Sequence, residues 1–146
     1  LSNHLLLFYT NIKRDASQIL NVQSAETFKK LEVLKGMKNL VMPLSQILSK
    51  GSNINEVGDV LHKGWQLKKS ITSEISSAKI DEHYNLALNV GALGGKLLGA
   101  GGGGFLMLYV ELHNQKAVCD ALSDLYLLDF KFDAGGTCIT YYDQTI

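Results

Sequence analysis

The 146 residues carry 14 Lys+Arg and 14 Asp+Glu, so the formal charge is zero and no basic excess points to nucleic acid or an anionic membrane. A chain this long needs no staple to bury a core, and Cys119 and Cys138 show no CxxC or Cys/His ligand spacing, so zinc is not expected and unpaired thiols in a reducing, cytoplasmic setting are. No apolar run approaches the roughly 20 residues of a spanning helix, and the chain enters a strand-like run soon after Leu1, which reads as one domain over 1–146 cut from a longer protein.

HLLLFYT (4–10) is a nearly continuous apolar run, which suits a central strand buried on both faces. Ala16, Ile19, Leu20 and Gln23, then Phe28, Leu31, Leu34, Met37, Val41, Leu44 and Leu48 recur in steps of three and four, a helical stripe. Pro43, the only proline, predicts a kink or a fresh start near Val41. KGSN (50–53) punctuates, and Val57, Val60, Leu67, Ile71 and Ile75 mark another helix with Gly64 as its weak point. Asp81 is a candidate N-cap for a shorter helix with Leu86, Ala87 and Val90. A glycine stretch follows, then a second buried strand, FLMLYV (105–110). Asn114 can cap a helix bearing Val118, Ala121, Leu122 and Leu125, and LDFKFD (128–133) alternates with period two before AGG turns the chain into TCITYY, a terminal hairpin. Together these give an α+β layer, a small antiparallel or mixed sheet with helices on one face.

GALGGKLLGAGGGGF (91–105) holds eight of the chain's 14 glycines. Glycine weakens regular structure by about 0.5–1 kcal/mol relative to alanine, so the concentration needs a backbone reason. Gly99, Gly101 and Gly104 satisfy GxGxxG, but here a helix leads in and a strand leads out, the reverse of the dinucleotide fold. Lys96 follows Gly95 as in a phosphate loop, yet Leu97 stands where Ser or Thr should hold magnesium. A tight helix-to-strand passage would need one or two glycines. The row Gly99, Ala100, Gly101, Gly102, Gly103 and Gly104 instead offers backbone N–H groups free of side chains, a nest suited to phosphate.

The same stretch resembles the third sequence motif of the GHMP kinases, in its length, its Gly/Ala pattern and its direct passage into an apolar strand. LLLFYTNIKRDASQILNVQ, GWQLKKSITSEISSAKID and DFKFDAGGTCITYY are similar to the D-glycero-D-manno-heptose 7-phosphate kinase branch. The resemblance implies a ferredoxin-like domain elaborated with extra helices, the C-terminal part of an enzyme that transfers the γ-phosphoryl of ATP to a sugar, at the anomeric hydroxyl in that branch. It also implies a missing N-terminal domain holding the second glycine- and serine-rich motif, the catalytic aspartate and most contacts to ATP and Mg2+; no PxxxGLGSSxA-like sequence occurs here. This piece alone is then expected to be silent, with no catalytic and no metal-binding residue of its own. Relatives acting on galactose, fucose or mevalonate-type acceptors, and a noncatalytic regulatory or oligomerisation module, are the alternatives, and a homodimer stays open.

Arg14, at a helix start in KRDAS, can clamp a phosphate bidentately; its alternative is an exposed arginine bonded to Asp15 or water. Ser17, one turn on, shares both readings, and Lys13 reads as surface. His62, Trp65, Lys69 and Thr72 fall on one helical face. Trp65 and Lys69 there either line a sugar-phosphate cleft or pack while the lysine stem snorkels. Lys96, the cation inside the glycine motif, joins the substrate-binding candidates. His4, His62, His83 and His113 form no metal or triad spacing, Asp81 with Glu82 reads as helix-start charge, and Tyr126, Tyr141 and Tyr142 as sheet or hairpin packing.

Overall fold

The structure, a computed structural model, describes residues 1–13, 16–51 and 53–141. LLLFY forms β1 (Leu5–Tyr9). It lies antiparallel to β3 (Phe105–Val110), with Phe8 opposite Leu106 and Tyr9 opposite Phe105, and on its other side to β4 (Tyr126–Leu128), with Leu7 opposite Leu128. The strand is central, as its apolar run predicts, but Phe8 alone of its five residues is buried. Burial on both faces is therefore corrected: Phe8, Leu106 and Leu108 turn into the core, while the opposite face keeps Tyr9 half-buried and Phe105 exposed, their rings 5.3 Å apart.

A further strand, β2 (Ala92–Leu97), pairs antiparallel with β3 from Ala92–Val110 to Leu97–Leu106. The sequence reading takes this segment for the beginning of the glycine loop. With it the sheet runs β2-β3-β1-β4, the order of a βαββαβ ferredoxin-like fold with extra helices. A Cβ on Gly94 would stand 2.0 Å from the carbonyl oxygen of Gly58 in α4 (Glu56–Lys69), and one on Gly58 would stand 2.5 Å from the Leu93 Cβ. Glycine is in this strand because a helix backbone lies against it.

Among the described residues five helices connect β1 to β2: α1 (Ala16–Glu26), α2 (Leu31–Asn39), α3 (Val41–Lys50), α4 and α5 (Ala78–Asn89). The break near Val41 is present, and Pro43 falls in the first turn of α3, where a missing N–H costs nothing. A second break, the 3-10 turn Phe28–Lys30, splits a stripe that reads as continuous. Gly51 closes α3 at φ 64° with its amide on the Ile47 carbonyl, the left-handed stop glycine allows. Helix α4 stops at Lys69, and Ser73–Ile75 form a separate turn. The cap of α5 is Ser77, whose hydroxyl accepts from the Ile80 amide at 3.4 Å; Asp81 sits inside the first turn and accepts from Lys69 Nζ at 2.9 Å and Ser76 Oγ at 3.0 Å. Helix α6 (Gln115–Ala121) starts behind Asn114, whose side chain reaches the Gly91 carbonyl instead of capping.

Trp65, Ile75, Ile80, Tyr84, Ala87, Val118 and Leu122 meet Phe8, Leu97, Leu106, Leu108 and Val110 in one core, each large side chain contributing about 1.5–3 kcal/mol by leaving water. After Leu128 the described chain forms no strand, so the LDFKFD strand and the hairpin are not formed there, and Tyr142 lies outside the described residues. β4 is an edge that pairs with Leu7, Phe8 and Tyr9 alone. Among the described residues no strand lies beyond it for the alternating residues to bury against: Tyr126 is 71% exposed and Tyr141 81%, against the packing expected of them.

Candidate functional site

The loop from Leu98 to Gly104 joins β2 to β3 and is closed at its base by the Leu98 amide on the Phe105 carbonyl, 2.8 Å. Gly99, Gly101, Gly102 and Gly104 all have positive φ, 78°, 117°, 74° and 89°, a region costing an L side chain about 1–2 kcal/mol. Two distant carbonyls grip this backbone. The Gly102 amide donates to Ile75 at 2.8 Å, and a Cβ on Gly101 would stand 2.8 Å from that oxygen. The Gly104 amide donates to Ile12 at 3.0 Å, and a Cβ on Gly103 would stand 2.2 Å from that one.

Side chains missed by the sequence reading complete the grip. Thr10, 5% exposed, sends its amide and its hydroxyl to the Gly104 carbonyl, both at 2.9 Å, and accepts the Ile12 amide at 3.3 Å. Gln23 donates to the Ala100 carbonyl at 3.1 Å, and Lys68 donates to that of Gly99. Nothing local in the sequence signals the contacts of Thr10, Gln23 and Lys68 with the loop, since each joins residues far apart in the chain.

The amides of Gly99, Ala100, Gly101 and Gly103 form no hydrogen bond among the described residues. The expected unbroken row of free N–H groups is thus interrupted: those of Gly102 and Gly104 anchor the loop. Beside the loop lies a cleft of about 440 Å³ lined by Tyr9, Ile12, Lys13, Ala100, Gly101 and Gly103. Unpaired amides and an ammonium around a concave wall favour an anion. Lys13, read as plain surface, is the cation of this wall among the described residues.

Arg14 and Asp15 lie outside the described residues, and Ser17 is exposed in the first turn of α1. Trp65, Lys69 and Lys96 are not among the residues around this cleft. Trp65 is 1% exposed, packed 6.4 Å from the Tyr84 ring, with Lys69 Nζ 5.9 Å from its own ring centre. Lys69 is ion-paired with Asp81, and Lys96, in β2, lines a second pocket with Trp65 and Lys68. The Tyr84 hydroxyl, 2.8 Å from His62 Nδ1, is pushed well up in pKa by burial. Among the described residues no group of three His, Cys, Asp or Glu is placed to hold a metal, and no helix is long and apolar enough to cross a membrane.

A family model described as GHMP kinases C terminal matches residues 44–127. The chain is 30% identical to the D-glycero-alpha-D-manno-heptose 7-phosphate kinase of Campylobacter jejuni, over 90% of its own length and 40% of that protein's. It is 27% identical to the galactokinase of Pyrococcus furiosus, over 89% and 44%. The crystal structure of L. major mevalonate kinase in complex with R-mevalonate shares the fold, with a TM-score of 0.75 at 18% identity over 84% of this chain and 40% of that one. The chain therefore spans less than half the length of each.

Proposed function

The chain belongs to the GHMP kinase C-terminal family, and from that premise we propose that it is the second domain of an ATP-dependent kinase phosphorylating the anomeric hydroxyl of D-glycero-D-manno-heptose 7-phosphate. The observation that carries the reading is the partition of the glycine loop: two amides hold it down, and those of Ala100, Gly101 and Gly103 are left unbonded at residues that line a cleft also containing Lys13. Phosphoryl transfer needs positioning and charge stabilisation more than covalent chemistry from the protein, and a fixed, side-chain-free wall supplies the first. The cleft suits the phosphates of ATP. It does not suit magnesium, since no carboxylate lines it among the described residues, so that ion, like the catalytic base, belongs to the N-terminal domain of the whole enzyme.

In this reading Gly99 to Gly104 close against the nucleotide phosphates while Arg14, next in sequence to Lys13, and Ser17 hold the acceptor's 7-phosphate. The acceptor is supported by the Campylobacter jejuni relative; the similarity to a galactokinase makes a neutral hexose the second reading. ADP release by the protein together with its nucleotide domain, with heptose 7-phosphate, galactose, fucose and mevalonate as competing acceptors, separates them. The expected result is the highest kcat/KM on heptose 7-phosphate, with Arg14→Ala raising the acceptor KM about tenfold or more and leaving that of ATP unchanged. Faster turnover on galactose, or none on any acceptor, overturns the assignment.

A further inference from the structure

A second pocket, about 170 Å³, opens between α2, α3 and α4. Its wall is apolar, with Met37, Leu44, Val60 and Trp65, and it carries two cations, Lys68 from α4 and Lys96 from β2. Among the described residues neither ammonium has a carboxylate partner: Lys68 bonds only the Gly99 carbonyl, and Lys96 makes no hydrogen bond or ion pair. Burial first, and then repulsion from Lys96, pull Lys68 below its ordinary pKa, so folding brings together two like charges without neutralising them. The indole N–H of Trp65 is buried with no partner.

We propose that this pocket binds a small phosphate monoester, its apolar body lodged between α2, α3 and α4 and its phosphate held by Lys68 and Lys96. The size follows from volume: a cavity of about 150 Å³ takes up benzene, so this one accommodates a body of about six to eight non-hydrogen atoms. The head follows from charge, because a phosphate dianion matches two ammoniums where a carboxylate matches one. An apolar body is required because sugar hydroxyls set against Met37, Leu44 and Val60 would lose their hydrogen bonds to water without replacement. The site is therefore distinct from the sugar-phosphate acceptor proposed above and does not depend on it. It adjoins the glycine loop through Lys68, whose bond to Gly99 an incoming phosphate would share or break.

Titration of the protein with hexyl phosphate, followed by the methyl resonances of Met37 and Leu44 and by Trp65 fluorescence, tests the proposal. The expected result is saturable binding at least tenfold tighter than that of hexanol or of inorganic phosphate. Gly64→Met should abolish it, since a Cβ there meets only Leu40 Cδ1, at 3.5 Å, and the longer side chain fills the pocket while both lysines stay. The double substitution Lys68→Gln and Lys96→Gln should reduce affinity to that of hexanol. Hexanol binding as tightly as hexyl phosphate, inorganic phosphate doing the same, binding that survives Gly64→Met, or no saturable response would each overturn it, and the comparison of the three probes requires no variant to fold.

Discussion

Replacing Gly103 by alanine tests whether the glycine loop is shaped by close backbone contact. The new Cβ would lie 2.2 Å from the Ile12 carbonyl oxygen and 2.9 Å from its carbon, roughly 1 Å or more inside ordinary contact at the oxygen. Those atoms are backbone and cannot swing aside, and the same carbonyl receives the Gly104 amide at 3.0 Å. Seating the methyl group must displace that hydrogen bond, about 0.5–1.5 kcal/mol, and strain the packing by about 1–3 kcal/mol, together about 1.5–4.5 kcal/mol. Gly99→Ala is the control: its φ is 78° but a Cβ there meets nothing within 4 Å, so only the conformational cost of about 1–2 kcal/mol applies. Urea unfolding gives both values, and amide exchange at Gly104 reports the lost bond. If Gly103→Ala costs no more than Gly99→Ala and leaves Gly104 as protected as before, the steric account of the loop is wrong.

Thr10→Val keeps the shape of a buried side chain but removes the hydroxyl bonded to Gly104 and Ile12; it should cost about 1–3 kcal/mol in urea unfolding, and a neutral result would show that the loop does not depend on that anchor. Gly64→Ala, inside α4 with only Leu40 Cδ1 nearby at 3.5 Å, should stabilise by about 0.5–1 kcal/mol, a gain visible as a raised Tm. The hydrogen bond from His83, the leading cause, holds the Asp124 carboxyl below its ordinary pKa. A depressed folded-state pKa stabilises above the ordinary carboxylate value of about 3.9 and ceases to do so as pH falls through the folded value, so Asp124→Asn should flatten the acid side of a Tm-against-pH curve. Parallel curves for the two proteins would remove the pair from acid stability. Lys96→Gln should move the Lys68 pKa upward but not fully to its ordinary value, because burial remains its first cause; an NMR titration of the Lys68 side chain that shows no movement would separate the two lysines.

The strands β1 and β3 were legible because long apolar runs have few other homes, and the glycine loop because six small residues in sequence have no role inside an ordinary element. β2 was not legible: Gly94 and Gly95 argue against a strand in any local reading, and only tertiary contacts explain them, the approach of Gly58 from α4 at Gly94 and of the Met107 carbonyl in β3 at Gly95. The terminal hairpin is not formed among the described residues for the opposite reason, since LDFKFD has the alternation of a strand but pairing depends on a neighbour, and none among the described residues lies beyond β4. For α5 the sequence suggested Asp81, but the cap is Ser77, four places earlier, because its extended backbone turns the hydroxyl onto the Ile80 amide. Of the candidate site, the loop Gly99 to Gly104 could be named from sequence, but which of its amides are bonded could not, because that is set by the carbonyls of Ile12 and Ile75. Trp65 and Lys69 share a helical face with a plausible ligand pattern; the tertiary fold places the indole in the core and gives the ammonium to Asp81.

The most direct test is residue-resolved amide chemical shifts across the loop in the protein joined to its nucleotide domain, with and without a non-hydrolysable ATP analogue. The account predicts that the amides of Ala100 and Gly103 move on nucleotide binding, while those of Gly102 and Gly104 keep their bonds to Ile75 and Ile12 and shift little. Unchanged Ala100 and Gly103 resonances at saturating nucleotide would contradict it.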